Sequence, residues 1–153
     1  MLFRSIPVAA TQHSREVAEA DAKPQDNHLL DKTLKRAVDK GYLHPGEAQV
    51  AARKVMALSE KYKFQPDDFA RLTLMESGGM NPKASNGQCH GIIQFCDGAS
   101  RGAAAVGLAN NPRAILGMGL LQQLELVDAY FDHVGLAESP KSVRDRKSTR
   151  LNS

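Results

Sequence analysis

The sequence predicts one mainly α-helical domain with at most a small β-hairpin. Apolar residues recur at the three- and four-residue spacing of a single helix face in several separate segments, and turn residues bound these segments. The chain has 153 residues, of which 42% are hydrophobic, enough for one globular domain with its own core. Extended backbone is expected only between residues 81 and 95.

The first 27 residues differ in composition from the rest of the chain. Residues 11–27 are polar, with many Ala, Glu, Asp and Gln residues. They could form a short exposed helix, but we expect residues 1–27 to be a linker or poorly ordered. The domain is expected to begin at residue 28. Leu30, Leu34, Ala37 and Val38 then mark one face of a helix of about twelve residues, which Gly41 ends.

A second helix is predicted from Gly46 or Glu47 to about Lys63. Its inward face carries small, aliphatic and aromatic residues at helical spacing, while its charged residues face solvent. We expect this helix to form a hairpin with the first one and to pack against the helix that follows. The inward residues are Ala51, Val55, Leu58 and Tyr62.

The third predicted helix, residues 67–77, carries a carboxylate on its apolar face. Phe69, Leu72 and Thr73 form the inward stripe, and Glu76 lies seven residues after Phe69 on the same stripe. Gly78 follows the helix, so Glu76 also lies in the last turn, near the negative end of the helix dipole. Partial burial and the dipole both disfavour a charged carboxylate, as suits a general acid.

The residues after this helix predict a turn-rich loop and a short apolar run. Residues 78–86 are dense in Gly, Asn, Pro, Lys and Ser, which is typical of an ordered surface loop. Residues 91–95 are apolar except for Gln94. An amide at this position is either a satisfied structural group or a hydrogen-bonding group for a ligand.

The C-terminal half predicts two further helices. Asp97-Gly98 is a turn, and the Ala-rich residues 99–106 form a helix that Gly107 closes. Asn111-Pro112 is a strong signal for the start of a long helix, which Gly117 and Gly119 break or kink near its beginning. The inward residues of the long helix are Leu120, Leu124, Val127, Phe131 and Val134.

Two short motifs carry a family resemblance. Residues 76–84 are Glu-Ser-Gly-Gly-Met-Asn-Pro-Lys-Ala, and residues 91–95 are Gly-Ile-Ile-Gln-Phe. In this order they resemble the catalytic Glu-Ser and Gly-Leu-Met-Gln motifs of the soluble lytic transglycosylase domain, of the lysozyme-like superfamily and related to goose-type lysozyme. The resemblance spans roughly residues 64–135. It implies a lysozyme-like helical domain with the hairpin beside the active-site helix.

The resemblance also implies a reaction. The family cleaves the MurNAc-GlcNAc β-1,4 bond of peptidoglycan glycan strands, with one Glu as its only acid and base, and forms 1,6-anhydro products. Glu76 matches that Glu. The reaction needs no metal, no cofactor and no water nucleophile.

Five further residues match or adjoin the family motifs as substrate-binding candidates. Ser77 either orients the acid or bonds to its own helix backbone, and Gln94 either binds the glycan or holds the loop. Tyr130 follows Ala129 as in the family's Ala-Tyr-Asn-x-Gly motif, but the Asn and Gly are missing here, and Tyr130 also adjoins the core stripe. The candidates are Ser77, Asn81, Ile93, Gln94 and Tyr130.

Other interpretations of the same residues remain open. Glu76 could instead turn outward or pair with Arg71 or Lys83. Asp97 is the best second carboxylate for an ordinary glycosidase, although the Gly98 that follows favours a turn. The alternative functions are therefore a lysozyme-type peptidoglycan hydrolase and a non-catalytic helical module that binds glycan or packs in a virion or secretion assembly.

Cys89 and Cys96 flank the apolar run. A disulfide between them would suit an exported protein, but an extended segment between the two residues could also hold the sulfurs apart. Metal binding is not expected, because His90 adds only one nearby ligand.

Both ends of the chain resemble sequencing artefacts. Residues 145–153 resemble translated adapter sequence, and residues 2–5 resemble a similar artefact, so we expect the domain, residues 28–144, to be truncated at its C-terminus. The alternative is an ordinary basic tail. The whole chain has a net charge of +3, and the part between these segments has none.

Charge and hydropathy limit the expected partners. The sequence shows no basic stripe with interleaved aromatic residues for nucleic acid, no membrane span and no visible signal peptide. We expect a monomer that is periplasmic, secreted or virion-associated and whose partner is the peptidoglycan glycan strand.

Overall fold

The structure is a computed structural model that describes residues 27–136. Some of the sequence-based predictions concern residues outside this range. They are the predictions for the N-terminal segment up to residue 26, for residues 137–144 of the expected domain, and for the tail from residue 145.

The described residues form a mainly helical fold with a small antiparallel sheet, as the sequence predicts. A 3₁₀ helix precedes α2 and another precedes α5. The α-helices are α1 (His28–Asp39), α2 (Ala48–Tyr62), α3 (Pro66–Ser77), α4 (Gly102–Ala105) and α5 (Leu120–His133), the 3₁₀ helices are Pro45–Glu47 and Pro112–Gly117, and the strands are β1 (Cys89–His90) and β2 (Phe95–Cys96).

Helices α1 and α2 form the predicted hairpin, and both contact α3. Gly41 ends the α1 segment with a φ of +81°, a backbone conformation that glycine adopts without strain. Lys63 takes the left-handed conformation at the end of α2. The predicted inward residues of both helices are buried, except for the half-buried Val38: Leu30, Leu34, Ala37, Ala51, Val55, Leu58 and Tyr62.

A carboxylate from α3 supports the N-terminus of α1. The Asp67 Oδ1 atom accepts a hydrogen bond of 2.8 Å from the backbone N–H of Leu30. The first N–H groups of a helix have no partner within the helix, and a carboxylate there also suits the helix dipole. This contact between two helix N-terminal turns helps to set how α1 lies against α3.

The C-terminal half departs from the prediction in one place and confirms it in another. Helix α4 is shorter than predicted, because residues 99 and 100 form a turn that follows Gly98, whose φ is +121°. The predicted break near the start of the long helix is present: Met118, between Gly117 and Gly119, is extended and separates the 3₁₀ helix from α5. The predicted stripe of α5 is buried throughout: Leu120, Leu124, Val127, Phe131 and Val134.

Aromatic rings form the centre of the core. Phe131 on α5 contacts Tyr62, Phe64 and Phe69 edge to face, with ring centroids 5.5 to 6.4 Å apart. Such arrangements are favourable beyond the apolar area that they bury. They join α5 to α2 and α3.

A polar cluster at the edge of the core joins α2 to α5. The Tyr62 hydroxyl donates to the Asp128 carboxylate, and Lys61 Nζ lies 3.0 Å from Asp128 Oδ1. Burial alone would raise the pKa of Asp128, but the hydrogen bonds from Tyr62 and Lys61 outweigh it and lower the pKa. Burial and the hydrogen bond to Asp128 raise the pKa of Tyr62 to about 12.

We expect Asp128→Asn to lower the free energy of unfolding by about 1 kcal/mol at pH 7, a modest value because Asp128 is partly exposed and solvent screens it. A lowered carboxyl pKa stabilises the fold above the ordinary Asp value of about 3.9, and this stabilisation is lost as the pH falls through the folded-state pKa. The difference between parent and variant should therefore shrink below about pH 4. Urea unfolding at pH 7 and pH 2.5 measures it, with Asp132→Asn on the exposed face of α5 as control. An equal difference at both pH values would contradict the prediction.

Candidate functional site

Glu76 lies in the last turn of α3, at the margin of the buried face. Phe69, Leu72 and Thr73 are fully buried as predicted, whereas Glu76 is half-buried. Part of Glu76 is therefore accessible to solvent, while the residues of the same stripe are packed in the core. The two cations considered as its alternative partners have contacts elsewhere: Arg71 Nη1 lies 2.6 Å from Asp68 Oδ1, and Lys83 Nζ donates to the Leu116 carbonyl at 3.0 Å.

A tight chain reversal follows Glu76. Gly78, Gly79 and Met80 all have positive φ angles, of 75°, 113° and 58°. The N–H groups of Gly78 and Gly79 donate to the carbonyls of Leu74 and Thr73 and so satisfy the end of α3. The reversal buries Met80 and turns the chain back towards the helix that it has just left.

Ser77 joins the end of α3 to the two segments that follow. Its hydroxyl oxygen lies 3.1 Å from the Thr73 carbonyl and 2.8 Å from the Ile92 carbonyl, and it accepts a hydrogen bond from Asn81 N. The hydroxyl therefore bonds to backbone, one of the two roles that the sequence left open. It connects both motif segments to the helix that carries Glu76.

Asn81 shapes the loop that returns from the reversal. Its Oδ1 atom accepts a hydrogen bond of 2.9 Å from the backbone N–H of Lys83. This is an Asx turn, in which the side chain replaces a backbone acceptor. The half-buried Asn81 is thus bonded to Ser77 through its backbone N–H and to Lys83 through its side chain.

The predicted small hairpin is present and ends one residue later than predicted. Strands β1 and β2 pair antiparallel, with Cys89 opposite Cys96 and His90 opposite Phe95. Residues 91–94 form the turn between them. The hairpin places the two cysteines directly opposite each other in the strand register. They are joined as a disulfide.

Gln94 lies at the end of this turn with a φ of 60° and an exposure of only 8%. Its Nε2 atom donates to the carbonyls of Ala84 and Gly91, at 3.1 and 3.0 Å. The amide nitrogen therefore holds the loop against the hairpin. The amide oxygen has no hydrogen-bond partner within residues 27–136, so it is the end of Gln94 that a ligand could use.

The other two substrate-binding candidates lie in the core. Ile93 is fully buried, and Tyr130 is 2% exposed, with its ring 6.2 Å from that of Phe95 and nearly perpendicular to it. The structure thus bonds Ser77, next to Glu76, to Asn81 and to Ile92 in the turn that carries Gln94, and it places Ile93 and Tyr130 in the packed interior.

Gln123 on α5 is a key residue of this region that the sequence analysis missed. It is fully buried, and its Oε1 atom accepts a hydrogen bond of 2.8 Å from Ile92 N. Its Nε2 atom donates to three backbone carbonyls, those of Pro82, Ile115 and Met118. One feature of the sequence could have identified Gln123. It is a polar residue on the apolar stripe of α5, three positions after Leu120 and four before Val127.

A hydrogen-bonded chain of Ser85, His90 and Asp97 was also missed. The fully buried His90 has Nδ1 2.9 Å from Ser85 Oγ and Nε2 2.8 Å from Asp97 Oδ1. This chain ties the loop to both strands of the hairpin. It also gives Asp97, the candidate second carboxylate, a partner on the hairpin itself.

Other features of the described residues lie away from Glu76. Residues 27–136 contain no group of three His, Cys, Asp or Glu side chains that could hold a metal ion, and none of their helices is long and apolar enough to cross a bilayer. A depression of about 160 Å³ lies between α2 and α5. Another, of about 370 Å³, lies between the turn after α1 and the start of α5. Neither of these two depressions includes Glu76 or Gln94 in its lining.

Comparison with known proteins adds no relative. No protein-family model matches the chain, and no curated protein or solved structure is significantly similar to it.

Gly91 offers a test of the contact between the hairpin and α5. A Cβ atom at Gly91 would lie 2.4 Å from Gln123 Oε1, whereas a Cβ atom at Gly87 would meet nothing within 4 Å. Both glycines have positive φ, so Ala is strained at either position. We expect Gly91→Ala to cost about 1–3 kcal/mol more in unfolding free energy than Gly87→Ala, because only the former overpacks the core. Denaturant unfolding measures both variants. Equal losses of unfolding free energy would contradict the prediction and show that the contact with Gln123 accommodates a methyl group at position 91.

Gln123 itself offers a second test. Gln123→Leu leaves one buried N–H group and three carbonyls without this partner, so we expect the unfolding free energy to fall by about 3 kcal/mol. The neighbouring Gln122 is exposed, and Gln122→Leu should change it by less than about 0.5 kcal/mol. Guanidinium unfolding of both variants measures the difference. Similar small effects would mean that water replaces the Gln123 amide without cost.

Proposed function

We propose that this chain is a peptidoglycan lytic transglycosylase domain with Glu76 as its acid and base. The observation that carries the proposal is the 2.8 Å contact between Ser77 Oγ and the Ile92 carbonyl. It joins the two segments that resemble the family motifs, and the two bonded residues lie 15 positions apart in the chain. The half-buried Glu76 and the amide of Gln94 thus belong to one connected structure.

The reaction requires one group that first donates a proton and then accepts one. Glu76 would protonate the oxygen that bridges the two sugars, and the glycosidic bond would break. The carboxylate formed would then take the proton from the 6-hydroxyl of the same muramic acid residue while that oxygen closes the 1,6-anhydro ring. No water is consumed, and Glu76 ends in its starting state.

The remaining candidates have supporting roles in this proposal. The Gln94 amide oxygen accepts a hydrogen bond from the glycan while its nitrogen stays bonded to the loop. Ser77 and Asn81 hold the chain around Glu76, and Ile93 and Tyr130 support the hairpin from the core. A disulfide-bonded hairpin is suited to the periplasm, the cell exterior or a virion, where oxidising conditions preserve it.

A lysozyme-type hydrolase is the second candidate. Asp97 lies directly after β2, and its side chain is 38% exposed. An accessible second carboxylate could orient a water molecule for hydrolysis of the same bond. Its hydrogen bond to the buried His90 favours a structural role, and the single-carboxylate reaction therefore ranks first.

Product analysis tests the proposal. Purified peptidoglycan is incubated with the chain, with Glu76→Gln and, as a control, with Glu60→Gln on the exposed face of α2. Mass spectrometry of the soluble products should show anhydro-muropeptides from the parent and the control. We expect the rate to fall by about 10² to 10⁴-fold in Glu76→Gln, because the general acid is lost.

Two other outcomes would change the assignment. Hydrated reducing-end products that disappear in Glu76→Gln would establish the hydrolase. No products from a chain that circular dichroism shows to be folded would favour a non-catalytic helical module that binds glycan or packs in a virion or secretion assembly.

A further inference from the structure

One edge of α1, together with the residue that follows the helix, carries a row of cations. Lys32, Arg36 and Lys40 follow one another at intervals of four residues, and all three are exposed. We call these three residues the basic ladder. Like charges at this spacing on a helix repel each other and do not stabilise it. Within the described part of the chain, none of the three side chains forms an ion pair.

The acidic residues of α1, Asp31 and Asp39, both lie at helical spacing from Lys35. Asp39 also lies three residues after Arg36, but no ion pair joins these two side chains. Lys35 lies four residues after Asp31 and four residues before Asp39, so it has a carboxylate at helical spacing on each side. At 100° per residue, Lys35 lies on the opposite edge of the exposed surface from Arg36 and Lys40. Positive charge is therefore concentrated on one edge of α1, and balanced charge lies on the other.

The basic ladder lies beside the chain reversal that follows Glu76. A Cβ atom at Gly79 would lie 3.7 Å from Arg36 Nη1 and 3.8 Å from Thr33 Cγ2. Gly79 is three residues after Glu76, and its φ of +113° excludes most side chains. The guanidinium of Arg36 thus reaches the backbone of the turn next to the candidate acid.

We propose that the basic ladder binds carboxylates that project from the glycan strand, and that it selects anionic peptidoglycan over neutral β-1,4 glycans. The inference rests on the proposed function for its substrate class. The ladder extends over nine residues, 32–40, or about 12 Å from the first to the last, which is comparable to one disaccharide of the strand. Muramic acid carries a lactyl group and a peptide with free carboxylates, so each disaccharide presents negative charge. No aromatic residue stands within the ladder to stack on nucleic acid bases.

A binding assay tests the proposal without catalysis. The full chain carrying Glu76→Gln is mixed with insoluble peptidoglycan and with the same material after its carboxylates have been amidated. A second sample adds Lys32→Gln, Arg36→Gln and Lys40→Gln. A matched control instead adds Lys35→Gln, Arg53→Gln and Lys63→Gln, which removes equal charge from exposed positions outside the ladder.

We expect removal of the basic ladder to weaken binding to native peptidoglycan at least tenfold, while the matched control stays within twofold. The parent in this assay is the chain that carries only Glu76→Gln. It should bind amidated peptidoglycan as weakly as the ladder variant binds native peptidoglycan. High salt should abolish the difference in binding between the parent and the ladder variant. Equal losses in the two triple variants would overturn the proposal, as would equal binding of native and amidated material or no binding of the parent. Equally tight, ladder-dependent binding of duplex DNA would overturn the selectivity for peptidoglycan.

These results are separable from those of the product analysis. Ladder-dependent binding without anhydro products would retain the basic ladder as a binding surface for anions and remove the transglycosylase assignment. Anhydro products together with charge-independent binding would retain the transglycosylase assignment and remove the proposed role of the basic ladder.

Discussion

The hydrogen bonds of the buried Gln123 side chain are the constraint on which the rest of this structure depends. One amide on α5 accepts from Ile92 N and donates to the carbonyls of Pro82, Ile115 and Met118. These four residues lie outside the α-helices and strands. Buried backbone groups need partners, and here a single side chain supplies them to three irregular segments.

The same constraint explains how the surroundings of Glu76 are positioned. The Ile92 peptide donates its N–H to Gln123, while its carbonyl accepts from Ser77, next to Glu76. The end of α3 is therefore linked to α5 through one residue, Ile92. Gly91 allows this approach, since a Cβ atom there would meet Gln123 Oε1. The candidate acid is thus supported by the packed core on the side away from solvent.

The hairpin is too short to be stable by strand pairing alone, because each strand has only two residues. Additional contacts compensate for this. The disulfide joins the strands, Gln94 holds the turn to Ala84, and His90 connects Ser85 with Asp97. Each of these contacts links residues at least five positions apart, so the loop and hairpin form one unit with the end of α3.

The sequence by itself determined the helical segments, their buried faces and most of their ends, including the end of α3 after Ser77 and the break near Gly117. These features depend on contacts between residues three or four positions apart and on local backbone preferences, which a linear pattern records. It also identified Glu76 as an inward carboxylate at a helix end. Only the tertiary structure decided the roles of Gln123 and His90, the burial of Ile93 and the approach of Arg36 to Gly79. The contacts of Gln123 reach 31 and 41 residues along the chain, to Ile92 and Pro82, and such pairings arise from packing that no local spacing encodes.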